Sequence, residues 1–142
     1  MLEELKLFRI PKVFSEQSAA LCAPALSCIH SICTPDDVMY HEIPYCAMAV
    51  PYLTELREIR AMGPRDYRLM PVISQYCMKL ERLDIEDYST TTPAQLLQLA
   101  QNCRHLHTVY IAGDHFSTDE LIIGLAERCP ILQRLVLQSY RG

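Results

Sequence analysis

The chain has 142 residues, half of them apolar and 21% charged, with a formal net charge of −4. That length suits one domain with its own core, and the composition is that of a folded chain rather than a disordered one. With no block of Lys or Arg and no apolar run as long as a membrane span, neither nucleic acid nor membrane is an expected partner.

The first residues, Met1-Leu-Glu-Glu-Leu-Lys6, put acids where a secretory signal would put bases, so an intracellular location, cytoplasmic or nuclear, is expected. Seven cysteines is an odd number and none forms a C-x-x-C pair. They are expected to be reduced, small and buried, with no disulfide, zinc or redox role.

In chain order, Leu2-Glu-Glu-Leu5-Lys-Leu7 reads as a first strand. Ala23-Pro-Ala-Leu26-Ser-Cys-Ile29 and Val50-Pro-Tyr-Leu53-Thr-Glu-Leu56 open two more segments, whose third apolar residue arrives one place late, at Ile32 and Ile59. Their strand registers are therefore open. Thr34-Pro35-Asp-Asp37 and Gly63-Pro64-Arg-Asp66 resemble helix starts, and the acids of the first suit the helix dipole. Pro44 and Pro71 fall inside the helices that would follow, which should be short, kinked or late-starting.

Three later segments share the pattern C-x-x-L-x-x-(L/V)-x-(I/L). They are Cys77-Met-Lys-Leu80-Glu-Arg-Leu83-Asp-Ile85, Cys103-Arg-His-Leu106-His-Thr-Val109-Tyr-Ile111 and Cys129-Pro-Ile-Leu132-Gln-Arg-Leu135-Val-Leu137, with lead leucines at intervals of 26 residues. A fixed period of this length marks stacked repeats. Between these strands lie helices. Thr92-Pro93 supplies an N-cap and a first-turn proline ahead of Leu96, Leu99, Ala100 and Cys103 on one face. Ser117-Thr-Asp-Glu120 is a capping box ahead of Ile122, Leu125, Ala126 and Cys129. Cysteine thus marks a tight slot where helix turns into strand, a slot that Ala23 and Val50 would fill in the earlier copies.

The run Leu-x-x-Leu-Ala-x-x-Cys-Pro-x-Leu-x-x-Leu-x-Leu, nearly intact over 121–137 and good over 77–111, resembles the cysteine-containing leucine-rich repeats of F-box proteins, the substrate receptors of cullin-RING ubiquitin ligases. The resemblance implies an α/β leucine-rich-repeat solenoid over 1–142, with 1–59 degenerate and 77–142 well formed. It implies a parallel concave sheet of about six strand segments with helices on the convex side. It also implies a role in substrate recognition, with ubiquitin-ligase components as partners in a longer context. The chain has no Trp and starts on a repeat strand, so the adaptor-binding F-box is expected to be absent. The family's usual Cys after the strand is missing too, with Tyr88, Asp114 and Tyr140 nearby.

Strand alternation sends Leu83, Ile85, Val109, Ile111, Leu135 and Leu137 inward. Arg82, Asp84, Glu86, Thr108, Tyr110, Ala112, Arg134, Val136 and Gln138 then face outward, with Arg57 and His30 from the middle strands and Glu4, Lys6 and Phe8 from the first. Of these, Arg57, Arg82, Asp84, Glu86, Thr108, Tyr110, Arg134, Val136 and Gln138 are the candidate contacts for another protein, because a Tyr between arginines is interface chemistry. In the rim loop Gly113-Asp-His-Phe116, the Phe is expected to plug the helix start.

No cofactor or metal is expected, since His105 and His107 lack a third ligand by spacing and there is no phosphate loop or G-x-S-x-G elbow. Thiols in apolar slots are inert, so an enzyme is not expected. The rival expectation is structural: both ends look uncapped, which suits a repeat fragment, or a subunit that docks end-on or self-associates.

Overall fold

A computed structural model describes residues 4–6, 16–33, 48–62, 69–86, 91–113 and 119–139. Its strands are β1 (Glu4–Lys6), β2 (Ser31–Cys33), β3 (Glu58–Met62), β4 (Arg82–Glu86), β5 (Thr108–Ala112) and β6 (Arg134–Gln138). They form one sheet in chain order, each parallel to the next. Parallel neighbours need crossover connections. Those described contain α1 (Glu16–Leu21), α2 (Ala23–Leu26), a 3-10 turn (Val50–Tyr52), α3 (Leu69–Tyr76), α4 (Pro93–Asn102) and α5 (Asp119–Arg128). Helices α3, α4 and α5 pack in succession, and one continuous apolar cluster joins them to the strands. The fold is α/β with an all-parallel sheet.

One turn recurs at the foot of the strands. The N–H groups of Ile29, Leu56, Leu80, Leu106 and Leu132 donate to the carbonyls of Leu26, Leu53, Cys77, Cys103 and Cys129, at 3.0–3.2 Å. The residue after each turn then clamps the next strand. The His30 carbonyl accepts from the N–H groups of Arg57 and Glu58, Arg57 from Glu81 and Arg82, Glu81 from His107 and Thr108, and His107 from Gln133 and Arg134. The turn thus closes within its own unit, while the carbonyl that follows it ties that unit to the next.

This turn corrects the reading of the middle copies. Their lead residues are Ile29 and Leu56, three places later than Leu26 and Leu53. The slot that holds cysteine in the later copies is filled by Leu26 and Leu53, both buried, and not by Ala23 and Val50. Register decides the matter: Ile32 and Ile59 pair in line with Leu83, and a one-residue slip would turn them to the opposite face. The slot accepts a full leucine, so its use of cysteine is not dictated by size alone.

Helix α4 follows the sequence pattern, with Leu96, Leu99, Ala100 and Cys103 buried. Its cap is reciprocal: the Gln95 N–H donates to Thr92 Oγ1 at 3.2 Å and the Thr92 N–H to Gln95 Oε1 at 2.9 Å. In α3, Pro71 is the third described helical residue. Met70, Ile73, Ser74 and Cys77 form its buried face, and Asn102 Nδ2 donates to the Ser74 carbonyl and hydroxyl, at 3.0 and 3.1 Å.

Helix α5 departs from the expectation. Leu121, Gly124 and Leu125 are buried, as is Cys129 just beyond its end, whereas Ile122 is 42% exposed and Ala126 is exposed as well. Their counterparts in α4, Leu96 and Ala100, are buried in a helix that α5 flanks. Among the described residues no further helix flanks α5. For the same reason Leu135 and Leu137, expected in the core, are only partly buried. Gly124 matters to this packing, since a Cβ there would lie 2.6 Å from Leu97 Cδ2.

Cys77, Cys103 and Cys129 are buried free thiols, but Cys22 is exposed and Cys28 partly so, because neither occupies the slot. The expected helix starts at Thr34–Asp37 and Gly63–Asp66, Pro44, Tyr88, Asp114, Phe116, Ser117, Tyr140, Phe8 and Cys46 lie outside the described residues, as do the side chains of Glu4 and Lys6.

Candidate functional site: the open face of the sheet

The helices cover one face of the sheet, and alternate strand residues project from the other. The pairing register aligns them in rows: Glu58, Arg82, Thr108 and Arg134 in one, and Arg60, Asp84, Tyr110 and Val136 in the next. A row of clamp residues, Arg57, Glu81, His107 and Gln133, edges the N-terminal ends of the strands. Arg82, Asp84, Thr108, Tyr110, Arg134, Val136 and Gln138 therefore share one face, as their alternation implies. Glu86 belongs to β4, but its side chain is outside the described set.

Three placements differ from the sequence reading. Arg57 and His30 stand in the clamp row rather than inside a strand; the in-strand residues of β3 are Glu58 and Arg60, which the uncertain register concealed. Ala112, expected on the outward face, is fully buried, in register with Gln138. Glu81 and His107 join the face as well. The signal that would have revealed Arg57, Glu58 and Arg60 was Ile59 taken as the anchor of β3.

Charges on β3 and β4 neutralise one another across the strands. Arg57 pairs with Glu81 at 3.5 Å, Arg60 with Asp84 at 3.3 Å, and Arg82 with Glu58 at 3.5 Å and Asp84 at 3.4 Å. These side chains are about half exposed apart from Asp84, so solvent screening leaves each pair about 0–1 kcal/mol, and their effect is to orient the surface. Arg82 Nε is shielded from solvent and near Glu58 without a well-aligned hydrogen bond; the Coulombic attraction remains, the directional part does not. At the turn below, the Lys79 ammonium donates to Glu55 at 2.6 Å and this hydrogen bond holds the Glu55 carboxyl below its usual range.

The β5–β6 half is different. The Tyr110 hydroxyl donates to Gln138 Oε1 at 2.6 Å, which fixes the phenol across the strand beside Val136. Arg134 is exposed, and its guanidinium has no partner among the described residues.

Comparisons with known proteins place no relative beside this geometry. No family model, curated protein or solved structure matches the chain.

Glu81, His107 and Thr108 form a carboxylate–imidazole–hydroxyl chain, with 3.8 Å between Glu81 Oε2 and His107 Nε2 and 3.0 Å between His107 Nδ1 and Thr108 Oγ1. The first distance exceeds a hydrogen bond. The N–H groups of His107 and Thr108 are both engaged by the Glu81 carbonyl, leaving neither as an oxyanion donor. Burial pushes the Cys77 and Cys103 thiols up to about 12 and raises that of Cys129 too, so the slot thiols stay protonated at neutral pH. Among the described residues no His, Cys, Asp or Glu cluster could hold a metal, and no helix is long and apolar enough to cross a membrane. On the helical side, a shallow cleft lies over Leu97, Glu120, Ile123, Gly124, Glu127 and Arg128.

Proposed function

We propose that this chain is a protein-interaction module of the leucine-rich-repeat kind, a solenoid whose concave sheet face receives another protein. The observation that carries the reading is the convergence of Tyr110, Arg134, Val136, Thr108 and the Arg82–Asp84 network on one face that none of the described helices covers. Repeated units joined by the same turn and carbonyl clamp support a solenoid, since the clamp carbonyl of each unit finds its donors in the next. The balanced arginine–carboxylate pairs favour a protein partner over a polyanion. In a longer protein, as the F-box resemblance implies, the module would recognise substrates for ubiquitin ligation.

The test is capture of binding proteins from cell lysate, followed by direct titration of the purified partner against the native chain and a Tyr110→Ala/Arg134→Ala variant of equal circular dichroism. Loss of binding in the variant is expected. Equal affinity in both would sink the concave-face reading. A second reading, end-on docking or self-association, is favoured by the half-exposed Leu132, Leu135 and Leu137 on and beside β6, with Ile122 and Ile131 at 42% and 47% exposure. Concentration-dependent mass in light scattering, abolished by Leu137→Lys, is its signature.

A further inference from the structure

Not all of the open face is equally available. Among the described residues, the in-strand and clamp arginines Arg57, Arg60 and Arg82 each already contact a carboxylate of the neighbouring strand. A partner's charge placed there must first displace an internal one. Arg134 has no such competitor, and its row neighbour in β5 is the neutral Thr108. Along the same side of β6 follow Val136 and then Gln138. The Gln138 carbonyl oxygen accepts from the Tyr110 hydroxyl, which leaves the side chain's two amide N–H donors and one acceptor lone pair for a ligand. The strip therefore offers a guanidinium at one end, an amide donor at the other, and Val136 with the immobilised Tyr110 between them. Arg134 is the one charged side chain of this strip, and among the described residues no carboxylate pairs with it.

We propose that the β5–β6 half of this face binds an acidic polypeptide segment, its carboxylate paired with Arg134 and a flat or apolar side chain laid on Tyr110 and Val136. The proposal rests on the concave-face reading and specifies the chemistry of its partner. Planar guanidinium–carboxylate pairing supplies orientation as well as attraction, and an aromatic beside it supplies contact area at small entropic cost. The charged β3–β4 half, internally neutral, then acts as a rim that selects against partners rather than attracting them.

A random-peptide phage library, selected on the immobilised native chain and separately on Arg134→Glu, Arg134→Lys and Tyr110→Ala chains of unchanged circular dichroism, tests this. Peptides taken by the native chain should be enriched in Asp and Glu and bind about tenfold or more weakly to Arg134→Glu. Arg134→Lys should recover part of that affinity. Arg134→Glu should in turn select Lys- and Arg-bearing peptides. If selected peptides show no acidic bias and bind Arg134→Glu normally, yet lose affinity to Tyr110→Ala, the acidic-partner proposal fails and the concave-face reading stands. If neither substitution changes peptide affinity, or no peptide is selected, both fail together. Displacement of the peptides by a single-stranded oligonucleotide at comparable concentration would also overturn the proposal, since it would identify a phosphate ligand.

Discussion

The stacked thiols make a quantitative prediction for alkaline stability. Cys77 and Cys103 are fully buried, and desolvation, with each thiol also repelled by its neighbour in the stack, moves them from 9.0 to about 12. A raised folded value means that the folded chain holds its proton where the unfolded chain has released it. The stabilisation is complete below pH 9 and is lost as pH rises towards 12. At pH 10 each thiol contributes a loss of roughly 1–2 kcal/mol, so the pair removes roughly 3 kcal/mol relative to pH 7. That is a large share of the ~5–15 kcal/mol that holds a typical domain together. The assay is urea unfolding at pH 7 and pH 10 under reductant, comparing the native chain with a Cys77→Ala/Cys103→Ala variant. The variant should lose about 1 kcal/mol per site at pH 7 from removed sulfur packing, but its further loss at pH 10 should be smaller by about 3 kcal/mol. Every other ionisable side chain is common to the two chains. Parallel losses in the two would show that the slot thiols are solvated in the folded state, and would refute the reasoning.

Other substitutions separate buried from exposed contributions. Leu106→Ala, at a fully buried lead position, should lower unfolding free energy by about 2–5 kcal/mol, whereas Leu135→Ala on the half-buried β6 should cost distinctly less in the same urea titration. Thr92→Ala should cost about 1 kcal/mol by breaking the reciprocal cap with Gln95, and Thr92→Ser should restore most of it; equal stability of all three chains would refute the cap's contribution. Glu81→Gln removes the carboxylate shared by Arg57 and His107, yet should change stability by less than about 1 kcal/mol, because these groups remain in contact with water. A larger loss in thermal unfolding would mean that the face is structural rather than a binding surface.

The residues that the sequence assigned correctly are those whose position is set within one repeat. The five-position pattern around Leu80, Leu106 and Leu132 located three strands, their inward Leu83, Ile85, Val109 and Ile111, and the buried face of α4, because alternation and helical spacing are local geometric facts. Thr92 could be read as a cap for the same reason, and its partner Gln95, three residues on, is equally legible as the second half of a capping box.

Tertiary structure decided what depends on the neighbour. The register of β2 and β3 is fixed by their pairing with β4, which moved the lead positions to Ile29 and Leu56 and brought Glu58 and Arg60 onto the open face. The exposure of Ile122, Ala126, Leu135 and Leu137 follows from what flanks them and not from their own pattern, which matches the buried copy 26 residues earlier. So does the contrast between Arg82, held by two carboxylates, and Arg134, held by none described. A repeat sequence specifies its own turn and its own apolar stripe; burial and charge pairing belong to the interface between repeats, and only stacking determines them.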